Sequence, residues 1–166
     1  MTATRTDRGS TDTTTIYSVG GDLTYERTFD APRDLVWQAH TDPELVSKWW
    51  GPHRHQTRVE EMDLRPGGKW RYVSVDADGN ELTFYGEYVE IVPPEKIRWT
   101  FMFDVEGVGP QGGPETVTFE DVGGKTLMRA VSHMGSAEVI DEALATGMTE
   151  GAIETWDRLD ALLAAR

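Results

Sequence analysis

From Asp22 to Phe29 the sequence DLTYERTF sets Leu23, Tyr25, Arg27 and Phe29 against Thr24, Glu26 and Thr28, a period of two that predicts a half-buried strand. The period then changes. Asp30-Ala31-Pro32 opens a helix, because proline is favoured in a first turn, and Leu35, Val36 and Ala39 give that helix an apolar stripe. Asp42-Pro43 starts a second short helix, with Asp42 as its cap, ending at Trp49-Trp50-Gly51-Pro52. Strand and turn signals then alternate as far as His133. Strands are predicted over 57–64, 70–75, 82–92, 97–103, 115–120 and 126–133, with turns at Pro66-Gly67-Gly68, Asp78-Gly79-Asn80, Pro93-Pro94 and Gly123-Gly124. The run GVGPQGGP over 107–114 reads as a loop. From Ser136 to Ala164, Ile140, Leu144, Met148, Gly151, Thr155, Leu159 and Leu162 recur at helical spacing and predict one long amphipathic helix. Gly147 and Gly151 lie one turn apart near its buried face, each costing roughly 1 kcal/mol relative to alanine. Either something approaches that face closely or a space is left there.

The order is therefore strand, two short helices, six strands and a long helix. This predicts an α+β fold in which a curved antiparallel sheet of about seven strands wraps around the C-terminal helix. A wedge between helix and sheet, lined by aromatic side chains, is a place for a small apolar ligand. The first 20 residues are rich in Thr, Asp and Arg and poor in apolar groups, so they are expected to form a flexible tail preceding a single domain over 21–166.

Composition narrows the partners. The 166 residues carry 16 Lys and Arg against 29 Asp and Glu, a net charge of −13. With its cations dispersed, such a chain is expected to bind neither nucleic acid nor an anionic membrane surface. There is no cysteine, which removes disulfides, thiolate metal sites and thiol nucleophiles. No stretch reaches the roughly 18 apolar residues of a spanning helix, and the N-terminus has no apolar signal core. A cytoplasmic protein, monomer or homodimer, is expected.

Candidate catalytic motifs are sparse. Gly124-Lys125-Thr126 resembles the end of a phosphate-binding loop, but Phe119 occupies the required upstream glycine position and the segment joins two strands. His53 and His55 have a spacing that could serve a metal, but no motif supplies a third ligand, and a solvated loop is the better reading. No metal or cofactor is expected. Glu61 and Asp63 share a strand face and, with His133 or Tyr85, are the acid–base candidates. No serine lies in a nucleophile elbow. The aromatic residues say more, since Trp and Tyr carry polar tips that are costly to satisfy in a dry core and easier to satisfy around a cavity.

Five segments in order resemble a known family: FDAPxxxVWxAxTxP (Phe29 to Pro43), WWGP (Trp49 to Pro52), RPGGKW (Arg65 to Trp70), GEYVEIVPPEKI (Gly86 to Ile97) and GMxxGxxETWxRL (Gly147 to Leu159). The chain is similar to the SRPBCC superfamily, and within it to the stand-alone bacterial form of the activator of heat-shock protein 90 ATPase homologue. The resemblance implies the START-like helix-grip fold with a cavity between helix and sheet. The superfamily includes lipid and hormone binders, polyketide cyclases and oxygenase domains, so the fold leaves the function open. The reading is a binder of a small hydrophobic or aromatic, lipid- or polyketide-like molecule. Its expected walls are Trp70, Tyr72, Tyr85, Trp99, Phe101, Met128 and His133 on the sheet and Met148 and Gly151 on the helix, with Trp50 guarding the mouth. The alternatives are an enzyme of the cyclase or dehydratase kind and a stress-related protein-interaction module.

Overall fold

The structure is a computed structural model that describes residues 4–105, 107 and 109–165. Two helices follow the first predicted strand as expected. They are α1 (Arg33–Thr41) and α2 (Pro43–Trp49), separated by Asp42, whose carboxylate accepts the Glu44 N–H at 3.0 Å and caps α2. The strands are β1 (Arg5–Asp7), β2 (Thr15–Val19), β3 (Asp22–Phe29), β4 (Gln56–Met62), β5 (Lys69–Val75), β6 (Glu81–Val92), β7 (Lys96–Val105), β8 (Gly109–Val122) and β9 (Lys125–His133). All pair antiparallel in one sheet of order β1-β2-β3-β9-β8-β7-β6-β5-β4. β4 to β9 form the predicted meander, and β3 closes onto β9. The protein thus has the α+β helix-grip arrangement, with two strands more than expected.

The two extra strands come from the segment expected to be a flexible tail. Residues 5–7 and 15–19 form a hairpin on the free edge of β3, with Ile16 opposite Tyr25 and fully buried. One buried isoleucine and the ladder to β3 hold a stretch whose own composition predicts no order. The expected 107–114 loop is likewise mostly strand. Residues 109–114 pair with β7 from Gly109 opposite Val105 to Pro114 opposite Thr100, because the ladder of a long neighbour outweighs the local preference of Gly and Pro for turns.

The C-terminal helix is broken in two, α3 (Ala137–Leu144) and α4 (Met148–Ala164). Gly147 causes the break. Its φ of +84° places it in the left-handed region just before α4, where glycine pays no side-chain penalty. Gly147 is exposed and does not belong to a buried stripe.

One face of the sheet, the inner face, carries Leu23, Tyr25, Phe29, Trp70, Tyr72, Trp99, Val117, Phe119, Met128 and Ala130, all buried. α1 lies over Phe119 through Trp37 and His40. Trp49, buried at the end of α2, donates its indole N–H to the Ala39 carbonyl at 2.9 Å and locks the two short helices together. Among the described residues no helix is long and apolar enough to cross a membrane.

Candidate functional site

The WWGP turn projects Trp50 into the inner face. Gly51 turns the chain with φ +99°, and a Cβ there would lie 2.5 Å from the Ser74 hydroxyl, so the turn needs glycine for both reasons. The Trp50 carbonyl accepts hydrogen bonds from the Thr57 hydroxyl and from Arg158 of α4. Drawn in this way, the Trp50 ring is 8% exposed, with the rings of Tyr72 at 4.9 Å, Phe84 at 5.6 Å, Phe101 at 5.8 Å, Trp70 at 6.0 Å and Trp99 at 6.3 Å. Trp70 and Trp99 stack at 4.4 Å. Trp50 therefore forms the centre of an aromatic floor instead of guarding a mouth.

Above that floor α4 is tied on two flanks. Toward β3, the Tyr25 ring meets Trp156 edge-on at 5.4 Å, the Tyr25 and Thr149 hydroxyls lie 3.2 Å apart, and buried Arg27 pairs with Asp157 and Asp160. Toward the WWGP turn, Arg158 donates to backbone carbonyls and Glu154 accepts the His53 N–H at 3.2 Å. Phe84, Phe101 and Phe103 on the sheet and Met148, Ala152 and Ile153 on the helix each keep some accessible surface, and Phe84, Phe101, Met148 and Ile153 pack against the buried core. Gly151 borders the cleft between α4 and the sheet. A Cβ added there would meet only Pro52 Cγ, at 4.0 Å, so of the two explanations for the glycines a space is the one that holds at position 151.

One acid enters the cleft. Glu115 lies on β8 opposite Trp99 of β7 and Ser132 of β9. Its Oε1 accepts the Trp99 indole N–H at 2.8 Å and its Oε2 the Ser132 hydroxyl at 3.2 Å. Burial raises the carboxyl pKa, against the pull of these two hydrogen bonds and of His133. Burial likewise pushes the Tyr25 phenol up to about 12; its bond with Thr149 opposes this, and the charges of Glu115 and Glu150 add to it. Deeper in the floor, the Tyr72 and Tyr88 hydroxyls influence one another without reaching hydrogen-bond geometry, and burial raises both phenol pKa values. Glu115 was not among the residues predicted from sequence. The signal was present, since Glu115, Val117 and Phe119 alternate on one strand face and two of the three are plainly apolar.

Trp50, Trp70, Tyr72, Trp99 and Met128 belong to one core cluster with Phe101 of β7 and Met148 of α4 packed against it, while the Cβ direction of Gly151 points to Pro52. Tyr85 and His133 do not belong to it. Tyr85 follows inward Phe84 and so points to the outer face, where its hydroxyl donates to Asp104 at 2.9 Å. His133 lies five positions after inward Met128 and so on the opposite side; it is half-exposed on the outer face, with Asp22 at 3.0 Å and the Thr116 hydroxyl at 3.1 Å. Glu61 is exposed, opposite Arg71 beyond a bulge in β4, and Asp63 pairs with Arg65. Among the described residues no three His, Asp or Glu side chains are placed to hold a metal ion. A separate cleft of about 470 Å³ between the N-terminal hairpin and α4 is lined by Asp12, Glu26, Arg27 and Asp160. Of its charged groups, Arg27 and Asp160 pair with each other and Glu26 pairs with Arg129.

Residues 30–164 match the family profile described as Activator of Hsp90 ATPase homolog 1-like protein. Among solved structures the chain is similar to protein Ms6760 from Mycobacterium smegmatis, at 32% identity and TM-score 0.78 over 98% of this chain and 99% of that one. It is also similar to a protein from Arthrobacter aurescens, at 26% identity and TM-score 0.79 over 89% and 88% of the two chains. A protein from Rhodobacter sphaeroides shares the fold, at 24% identity and TM-score 0.82 over 93% and 100%. No curated protein matches the sequence.

Proposed function

The chain belongs to the family of activator of Hsp90 ATPase homolog 1-like proteins, and on that premise we propose that it binds a small hydrophobic or aromatic molecule between α4 and the inner face of the sheet. The observation that carries this reading is that Phe84, Phe101 and Phe103 on the inner face and Met148, Ala152 and Ile153 on α4 stay only half-buried, apolar surface that the core does not fully cover. Apolar surface left accessible inside a cleft is worth about 25 cal/mol per Å² to a ligand that covers it. Trp50, Trp70, Tyr72, Trp99 and Met128 supply a packed floor, and Gly151 leaves the helix side open. A cytoplasmic monomer or homodimer is part of the same reading.

The test is native mass spectrometry of the protein purified from its own host. A co-purifying small molecule, displaced when apolar aromatic probes saturate the quench of tryptophan fluorescence, is the expected result. Protein that carries nothing and shows no saturable quench would overturn the reading. A second reading, an enzyme of the cyclase or dehydratase kind, is favoured by one observation, the acid Glu115 inside the cleft. It does not draw on Tyr85, His133 or Glu61, which face away, or on Asp63, which pairs with Arg65 at the surface. The third reading, an interaction module, calls for a contiguous exposed apolar patch. The large exposed apolar residues among those described, Leu64, Val89, Val122 and Val139, are spread over separate elements.

A further inference from the structure

We propose that Glu115 is the polar anchor of this cleft, and that the ligand it selects is an apolar or aromatic molecule bearing a hydrogen-bond donor, such as a phenol, an alcohol or a protonated amine, in preference to a carboxylate. The inference rests on the binding reading above and names the ligand class for that site.

The first argument is capacity. An ionised carboxylate offers roughly four acceptor positions, and Trp99 and Ser132 occupy one on each oxygen. The remaining positions can accept only from a donor. Both fixed partners hold the carboxyl in place from neighbouring strands, so its orientation is set before a ligand arrives. The second argument is charge. Among the described residues no Lys or Arg bonds to Glu115, and the nearby Tyr25 phenol stands between Thr149 and the field of Glu115 and Glu150. A ligand carboxylate entering here would meet a like charge at short range, in an environment less screened than water, while His133, the positive group that acts on Glu115, is engaged with Asp22 on the outer face. A fatty acid is therefore the wrong polarity for this wall, although its chain suits the aromatic floor. The third argument is what Glu115 lacks as a structural element. A carboxyl buried only to bridge Trp99 and Ser132 would cost desolvation that a neutral amide or an apolar residue avoids.

Three naphthalene probes of equal ring size separate the possibilities, namely naphthalene, 2-naphthol and 2-naphthoate, titrated against tryptophan fluorescence at pH 7. The wild-type protein is expected to bind 2-naphthol at least about tenfold more tightly than 2-naphthoate, with naphthalene between them. In Glu115→Gln, whose amide still accepts from Trp99 but also donates, that preference is expected to shrink by about tenfold. Equal binding of 2-naphthol and 2-naphthoate by the wild type, or a preference unchanged in a folded Glu115→Gln, would overturn the anchor while leaving the binding reading intact. Saturable binding of none of the three would overturn both. The wild-type preference is decisive even if the variant does not fold.

Discussion

Arg158 of α4 donates one guanidinium nitrogen to the carbonyl of Trp50 at 3.1 Å, and the same nitrogen also reaches the carbonyls of Gly51 at 2.9 Å and Pro52 at 3.2 Å. Its other terminal nitrogen reaches Lys48 O at 3.1 Å. A single cation thus satisfies carbonyls that the end of α2 leaves without helical partners, and burial lowers its pKa without an acid to offset it.

Arg158→Met keeps the apolar stem and removes all four bonds. It is expected to cost about 2–3 kcal/mol of stability in urea melts, the range of a charged hydrogen-bonded group lost from a partly buried site. A red shift in tryptophan emission should accompany the loss as Trp50 is released. Arg158→Lys should recover less than half, because an ammonium cannot span the same fork of acceptors.

The glycines of the C-terminal segment should respond in opposite directions. Gly151 is helical with an open Cβ direction, so Gly151→Ala is expected to raise stability by about 0.5–1 kcal/mol. Gly151→Leu should keep the fold and block the cleft, abolishing probe quench. Gly147→Ala, at φ +84°, is expected to lower stability by about 1 kcal/mol. Thermal melts of the three variants check the signs.

His40 gives the fold a pH dependence. Its ring lies between Trp49 at 4.8 Å and Phe119 at 4.9 Å, with Nδ1 on the Val36 carbonyl at 2.8 Å. Burial, only partly opposed by that bond, lowers its pKa to about 4. The folded state therefore binds fewer protons than the unfolded chain between pH 4 and 6.5. Stability from this group is full above pH 6.5 and is lost as pH falls, by about 2 kcal/mol between pH 7 and pH 5. Urea melts at the two pH values should show a drop that is smaller by that amount in His40→Gln.

Glu115 has the opposite sign. Its pKa is raised in the folded protein by burial, so its contribution is favourable below the unfolded value and is lost as pH rises through the folded one. Glu115→Gln is expected to melt higher than wild type at pH 7. The gap should narrow as pH falls to the unfolded value and below, where the carboxyl takes up its proton in the unfolded chain as well.

The parts of the fold carried by strong periodicity were readable in the sequence. β3 has the predicted bounds, 22–29, and the Gly123-Gly124 turn leaves Val122 paired with Lys125. The parts decided by a neighbour were not. β2 is ordered by its ladder to β3, and residues 109–114 by β7, through pairings that no local pattern encodes. In the site, the one-faced aromatic run Trp99, Phe101 and Phe103 was legible, whereas the parity of Trp70 and Tyr72 was ambiguous, because Val73 and Val75 make both faces of that strand partly apolar. Phe84-Tyr85 placed two aromatics side by side, and only the register against β7, Phe84 opposite Phe103, decides which of them points inward. Glu115 was not legible as a site residue because one acid in an otherwise apolar alternation looks like the many solvated carboxylates of so acidic a chain.

The two ends of the sheet have a consequence for the molecule in solution. One outer strand, β1, is three residues long and fully exposed, with Arg5 and Asp7 on it; the other, β4, carries Arg58, Glu60 and Glu61 and is kinked between Val59 and Glu61. A short charged strand and a bulged charged strand are both poor templates for a further strand. A nine-stranded open sheet with a large aromatic interior is thereby kept from growing through its borders, and association between copies would have to use side chains on other surfaces.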